Sequence, residues 1–296
     1  RNLMRFFCGH LDFLIQYQSD GEGCARDFPE RFPEGAVKRL MDISELVLYK
    51  SILVLGFLML LFVSERKWPA AQRPGAIATP RRLGKNLSLW LCNSALSPLI
   101  VLPITLFAVN QSAADWRTVW PGDGWGIALD ILLLDLWIYW WHRANHRLPL
   151  LWRFHRVHHL DQWLDVTSAV RFHFGEVVLS ALVRGAVILL IGFPLLSVIL
   201  FESLVLAMAG FHHSNIRLPA NLEKWLSLVI VTPSIHWVHH HIDQRDTDSN
   251  YGAIFSFWDR LFASRSDKVR EPAMPIGVDQ AKDEGFWSLL LIPFRR

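Results

Sequence analysis

Apolar runs long enough to cross a bilayer alternate along the chain with short polar connections. The first is Leu46–Val63, interrupted near its start only by Lys50, whose aliphatic stem can carry its charge to an interface. The second, Leu87–Val109, carries no charge, and Pro98 and Pro103 disturb its helical regularity. The third, Ile127–Trp141, is shorter and contains Asp130 and Asp135. It ends on Trp137, Tyr139, Trp140 and Trp141, the aromatic enrichment of a membrane–water boundary. Val177–Phe211 is broken at Gly192-Phe193-Pro194, which predicts a helical hairpin of two shorter segments, spanning or re-entrant. The C-terminal region is amphipathic or loop-like, with a weaker apolar stretch at Trp225–Val231. This pattern predicts an all-α integral membrane protein with about four transmembrane or re-entrant helices.

Composition sharpens that reading. Of the 296 residues, 52% are hydrophobic and 19% charged, below the roughly 25% charged of soluble domains. Intrinsic disorder, which needs low hydrophobicity and high net charge, is excluded. A formal charge of +3 is too weak for a nucleic-acid partner, so none is expected. Cys8, Cys24 and Cys92 form no CxxC pair, so neither a disulfide framework nor a zinc finger is expected. Residues 1–44 mix charge, Gly and Pro without the apolar centre of a signal peptide.

Basic residues in the connections suggest an orientation. Residues 64–86 hold six Lys and Arg, 110–126 one, 142–176 five, and the region after Phe211 ten. By the positive-inside rule the segments around residues 142–176 and after Phe211 face the cytoplasm, in a bacterial inner membrane or an endoplasmic-reticulum-type membrane. Residues 1–44 also carry six, although simple alternation would place them outside; either their seven acids balance them or one early helix does not cross. A hairpin between the two later segments returns them to one face in either case.

Histidine supplies the candidate chemistry. Twelve of the 13 lie between His142 and His241. After the third apolar run comes His142-Arg-Ala-Asn-His146, then His155-Arg-Val-His158-His159, and after the hairpin His236-Trp-Val-His239-His240. Residues at i, i+3 and i+4 share a helix face, so each box can converge imidazoles on a metal. Eight such residues (His142, His146, His155, His158, His159, His236, His239 and His240) exceed what one tetrahedral zinc uses and imply two ions. His173 in Arg171-Phe-His-Phe-Gly-Glu176 and the pair His212-His213 lie between the boxes, whereas His10 and His241 read as ordinary satisfied polar residues. There is no HExxH with its general-base Glu and no GxSxG elbow, so hydrolytic readings do poorly. Two redox-active irons held by neutral imidazoles beside a membrane suit O2-dependent attack on a lipid C–H bond.

The HxxxH, the two HxxHH boxes, Arg171-Phe-His173 with Glu176, Asn250-Tyr-Gly252 and Trp258-Asp-Arg-Leu-Phe262 together resemble the fatty acid hydroxylase/sterol desaturase superfamily, most closely its bacterial members. The motifs run in the family's order over about Leu83–Phe262. The resemblance implies a helical membrane fold with a cytosolic histidine-rich cap and two Fe ions, with Zn possible as purified. It also implies metal ligation by the eight box histidines together with His173 and His213. The substrate implied is a membrane lipid. Electrons would come from an external donor: a reductase with ferredoxin, a cytochrome b5-like protein, or a pterin. Ala263-Ser264 stands where relatives often have Gly-Thr, and His212 where they often have Asn, which leaves the choice within the His212-His213 pair open.

Around the boxes, Asp135 lies two helical turns before His142, and Glu176 one turn after His173. Both are candidate acceptors for the second ring N–H of a metal-bound imidazole. Asp165 and Asp243 fall in loops, where solvation is expected. Arg184 and Glu202 can pair across the hairpin as a structural contact, and Trp137, Trp140 and Trp141 read as an interfacial belt. The expected organisation is an N-terminal segment at 1–44, transmembrane helices over 45–126, a di-metal domain over 127–265 and a C-terminal tail at 266–296. The expected activity is hydroxylation or desaturation of a lipid by an oxidoreductase. The rival reading is a non-catalytic membrane metal-binding protein, or a transporter relaying metal through histidines.

Overall fold

The computed structural model describes residues 34–73, 75, 79–114 and 123–295. The readings of residues 1–33, which include Cys8, His10 and Cys24, lie outside the described residues. The chain divides into two units, Arg1–Leu46 and Val47–Arg296. Of the first, the described part is the beginning of a helix; the second contains everything that follows.

The described residues are helical and contain no strand beyond two isolated bridges, Ile230 with Phe255 and His241 with Ile276. The long helices are α1 (Glu34–Lys67), α2 (Thr79–Leu96), α3 (Val101–Gln111), α4 (Asp123–Arg147), α5 (Pro149–His159), α6 (Phe174–Ile191) and α7 (Leu195–His213). Short helices follow: α8 (Ala220–Leu226), α9 (Pro233–His239), α10 (Gln244–Thr247), α11 (Phe257–Leu261) and α12 (Phe286–Leu291). Leu48–Lys67, Gly124–Arg147, Phe174–Ile191 and Leu195–His213 are long and apolar enough to cross a membrane.

The breaks follow from local chemistry. α2 and α3 meet at a 44° bend at Pro98, while Pro103 sits within the first turn of α3, where a missing N–H costs nothing. Gly192 closes α6 in a left-handed conformation (φ 78°), and Pro194 then launches α7. Pro149 and Pro233 occupy the first turns of α5 and α9, the position at which proline is pre-set for helix.

α3 packs along α6, and α4 packs on α5 and α7. One apolar cluster ties these elements together through Ala108, Leu134, Ile188, Phe201 and Ile254. The outward faces stay apolar: Leu53 on α1 and Leu190 on α6 are 73% and 75% exposed, as expected of surfaces that meet lipid. α7 delivers its C-terminal His212-His213 to the base of α9, which packs against it.

Polar groups staple the connecting segments. Glu65 at the end of α1 accepts from the backbone N–H of Val166 and of Asn215, both at 3.0 Å. Arg82 on α2 is buried and donates to Asp161, Asp165, Ser168 and the carbonyl of Trp163 at 2.6–2.8 Å. Solvation was expected for Asp165; instead this arginine buries it beside Asp161, because the loop between α5 and the short 3-10 turn Val166–Val170 folds back onto α2. Residues after Phe262 also dock: Asp283 pairs with Arg171 at 2.6 Å and with Lys85. Asp243, by contrast, is exposed, capping α10 through the N–H of Arg245.

Candidate metal centre

Two groups of buried imidazoles lie side by side where α4, α5, α7 and α9 converge. His142, His146, His155, His159 and His239 form one, with ligand nitrogens all within 4.8 Å of one another. His158, His213, His236 and His240 form the other under the same limit. Helical geometry divides each HxxHH box between them. His155 and His159, four apart on α5, face the first group while His158 is offset toward the second. On α9 the division reverses, with His236 and His240 in the second group and His239 in the first. His159 and His240 stack at 4.2 Å between centroids where the groups meet.

The outer ring nitrogens are committed to fixed acceptors. Nδ1–H of His142 donates to the carbonyl of Tyr251 (2.8 Å), that of His158 to Arg171 (3.1 Å), that of His213 to Ala209 (2.8 Å) and that of His239 to Ser249 (2.6 Å). His155 Nδ1 lies 2.8 Å from Glu176 Oε1. A neutral imidazole has one N–H, so each of these residues turns a bare Nε2 lone pair inward. His158 and His213 then face each other Nε2 to Nε2 at 3.1 Å, acceptor against acceptor. Burial, reinforced by neighbouring imidazoles, holds His158, His159, His236, His239 and His240 well below the usual histidine range, so they stay neutral.

Buried ring nitrogens without any partner accumulate on His146, His155, His159, His236, His239 and His240. Each unsatisfied buried polar atom costs about 1–3 kcal/mol. A cation in the first group would meet the partnerless Nε2 atoms of His155 and His239. One in the second would sit among the Nε2 atoms of His158, His213, His236 and His240, which face one another at 3.0–3.2 Å. Neutral nitrogen donors suit a first-row transition metal. The residues present therefore fit two such ions.

Other candidates sit elsewhere. His173 is outside both groups: its Nδ1 accepts from Gly175 N–H (2.9 Å), capping α6, and its Nε2 donates to the carbonyl of Leu290 (3.1 Å). The docked C-terminal segment thus takes the nitrogen that spacing alone leaves available. The His212 ring lies 4.0 Å from that of His236, tilted by 43°, without joining either group, which distinguishes it from His213. His241 pairs with Asp246 at 2.9 Å, as an ordinary satisfied histidine. Asp135 touches no histidine. It accepts from the N–H groups of Ile254 and Phe255 and from Trp258 Nε1 at 2.9–3.1 Å, anchoring the segment that places Tyr251.

Two contributors carried no assigned role in the sequence. Tyr251 receives His142 on its carbonyl and lays its ring against His142, His146 and His239. Arg171, fully buried, ties Val157 O, Asn86 and Asp283 while its own carbonyl holds His158. Their presence inside the Asn-Tyr-Gly and Arg-Phe-His motifs was the available signal. Gly252 approaches Phe255 so closely that a Cβ would lie 2.7 Å from its carbonyl oxygen, so this turn requires glycine.

A cavity of about 440 Å³ opens onto the second group and one edge of the first. His142, His155, His158, His213 and His236 line its inner end, and Ile138, Trp141, Phe201, Val205 and Leu206 its walls. Trp141, read as part of an interfacial belt, is on the cavity wall because it shares a face of α4 with Ile138, three residues before it, and Asn145, four after it. The ion pair Arg184–Glu202 forms as expected, Nη2 to Oε1 at 2.9 Å.

Residues 127–264 match the family described as fatty acid hydroxylase. Among curated proteins, the chain is 28% identical over 200 residues to the ornithine lipid hydroxylase OlsE of Rhizobium tropici, covering 67% of this chain and 59% of that protein. It is 32% identical over 157 residues to alkylglycerol monooxygenase of Danio rerio, covering 52% of this chain and 33% of the relative. A cholesterol 25-hydroxylase-like protein of Danio rerio is 26% identical over 143 residues, covering 47% of this chain and 55% of that one. The matches thus span less than two thirds of these relatives' own length. No solved structure matches the chain at a significant level.

Proposed function

We propose that this chain, whose residues 127–264 match the fatty acid hydroxylase family, is a membrane-bound, non-haem di-iron oxygenase that oxidises a C–H bond of a lipid using O2 and electrons from an external donor. The observation that carries the reading is the pair of adjoining imidazole groups at the inner end of an apolar cavity. The names of the relatives, an ornithine lipid hydroxylase, an alkylglycerol monooxygenase and a cholesterol 25-hydroxylase-like protein, support hydroxylation over desaturation.

His142, His146, His155, His159 and His239 would hold one iron, and His158, His213, His236 and His240 the other. When bound, the pair supplies the O2-activating redox chemistry that no side chain can provide. The chain's own contribution is position and dryness. Backbone carbonyls and Glu176 aim the ring nitrogens, and the walls formed by Trp141, Phe201 and Val205 exclude water and align an apolar chain. The substrate would enter from the bilayer between the apolar helices. The cluster of Lys and Arg around the boxes supports a cytoplasmic face for the site, accessible to an electron donor.

The test is metal content per chain by mass spectrometry on detergent-purified protein from iron-replete cells, beside His158→Ala and His239→Ala, followed by oxygen-18 incorporation into added lipids. About two metals per chain, lost in the variants, with label from O2 in the product, is the expected outcome. Unchanged metal content and activity in both variants overturns the assignment.

A further inference from the structure

We propose that Arg184 and Glu202 form a second recognition point in the cavity, a polar subsite for an oxygen atom that the lipid substrate carries at a distance from the carbon it presents to the histidines. The proposal deepens the functional reading above and rests on the cavity being the lipid site.

The placement comes from two helix stripes. On α6, Glu176, Val177, Ser180 and Arg184 line the cavity, and on α7, Glu202, Val205, Leu206, Ala209 and His213 do so. At about 1.5 Å rise per residue, Arg184 lies about 12 Å from Glu176 along α6, and Glu202 about 16 Å from His213 along α7. The ion pair therefore marks the end of the cavity away from the imidazoles, with Val177, Ser180, Val205, Leu206 and Ala209 between.

Its hydrogen bonding is incomplete, unlike that of Arg82 and Arg171, although Arg156 also keeps a buried Nε without a partner. Arg82 commits Nε, Nη1 and Nη2 to two carboxylates, a hydroxyl and a carbonyl. Arg171 commits Nε, Nη1 and Nη2 to Val157 O, Asn86 and Asp283. Arg184 makes the single contact with Glu202, and its Nε is buried without a partner. That Nε has no accessible surface. The guanidinium N–H groups not facing Glu202, however, belong to a side chain that lines the cavity, and an N–H held there requires an acceptor to offset its desolvation. A full ion pair within an apolar hairpin is also a costly way to hold two helices together, since apolar residues of similar volume do so at least as well. The open donor selects a hydroxyl, ester or amide oxygen. With Glu202 balancing the charge of Arg184, the subsite does not require an anion. Ser180, midway between Glu176 and Arg184 on the same face, adds a hydroxyl partway along the cavity.

The test uses binding to the full chain as purified in detergent, with no reductant present, so that it is independent of turnover. Straight-chain alcohols and alkanes of equal length compete against a bound fluorescent fatty alcohol. The double variant Arg184→Met/Glu202→Leu removes both charges together, and Arg184→Lys keeps the charge while deleting the guanidinium's further donors. The ratio of alcohol to alkane affinity is expected to fall at least tenfold in the double variant and severalfold in Arg184→Lys, with alkane affinity retained. An equal ratio in wild type and the double variant overturns the proposal; should the double variant fail to fold, an unchanged ratio in Arg184→Lys does so. An equal ratio in wild type and the double variant alongside intact oxygenase activity would reject this inference alone. Intact selectivity in a chain that lacks oxygenase activity would reject only the functional reading.

Discussion

His155 and Glu176 meet across two helices, Nδ1 to Oε1 at 2.8 Å, although neither helix contains both. The contact orients a ring whose Nε2 has no other partner, and Glu176 keeps a second buried oxygen free at the cavity. Glu176→Ala is expected to weaken metal binding about 10–100-fold. Glu176→Gln, whose amide oxygen can still accept the same N–H, should lose less. Competition with a calibrated chelator measures both, and wild-type affinity in the alanine variant would remove Glu176 from the site.

Histidine 173 caps α6 and bonds to Leu290 instead of joining the imidazole groups. His173→Ala is therefore expected to keep its metal content and to lose about 1 kcal/mol of stability, the usual cost of a lost cap. Loss of one metal per chain would make it a ligand after all.

Ala263 adopts φ 50°, a left-handed conformation that costs an L-residue roughly 1–2 kcal/mol and glycine almost nothing. Ala263→Gly should raise the melting temperature by a few degrees, less whatever extra freedom glycine gives the unfolded chain. A lower melting temperature would show that the alanine methyl contributes packing worth more than the strain.

Arg82→Met leaves Asp161 and Asp165 buried without their cation. Breaking a buried pair from one side costs about 3–5 kcal/mol, so the variant should lose folded yield in detergent extracts. Normal yield and melting would mean that the two carboxylates find water or protons at little cost.

Chelation should destabilise the whole protein, because each imidazole group then keeps its facing lone pairs and unpartnered nitrogens. A melting temperature that falls on metal removal and recovers on adding Fe(II) is expected. An indifferent melting curve would indicate that the groups are stable without cations.

The apolar runs, the Gly-Phe-Pro break and the spacing of the boxes determined that this is a helical membrane chain carrying clustered imidazoles, because hydrophobic length and helical periodicity are local properties. The partition of those imidazoles was not local. His155 and His158 sit one turn apart in a single box yet belong to different groups, and only the crossing of α5, α7 and α9 assigns them. The same holds for His173, whose nitrogen went to a carbonyl more than a hundred residues away, and for Asp135, whose carboxylate anchors a turn rather than a ring. Arg184 and Glu202 were legible as a pair, since hairpin geometry brings them level. That they border a cavity depended on what every neighbouring helix left unfilled, and packing of that kind is a property of the folded whole.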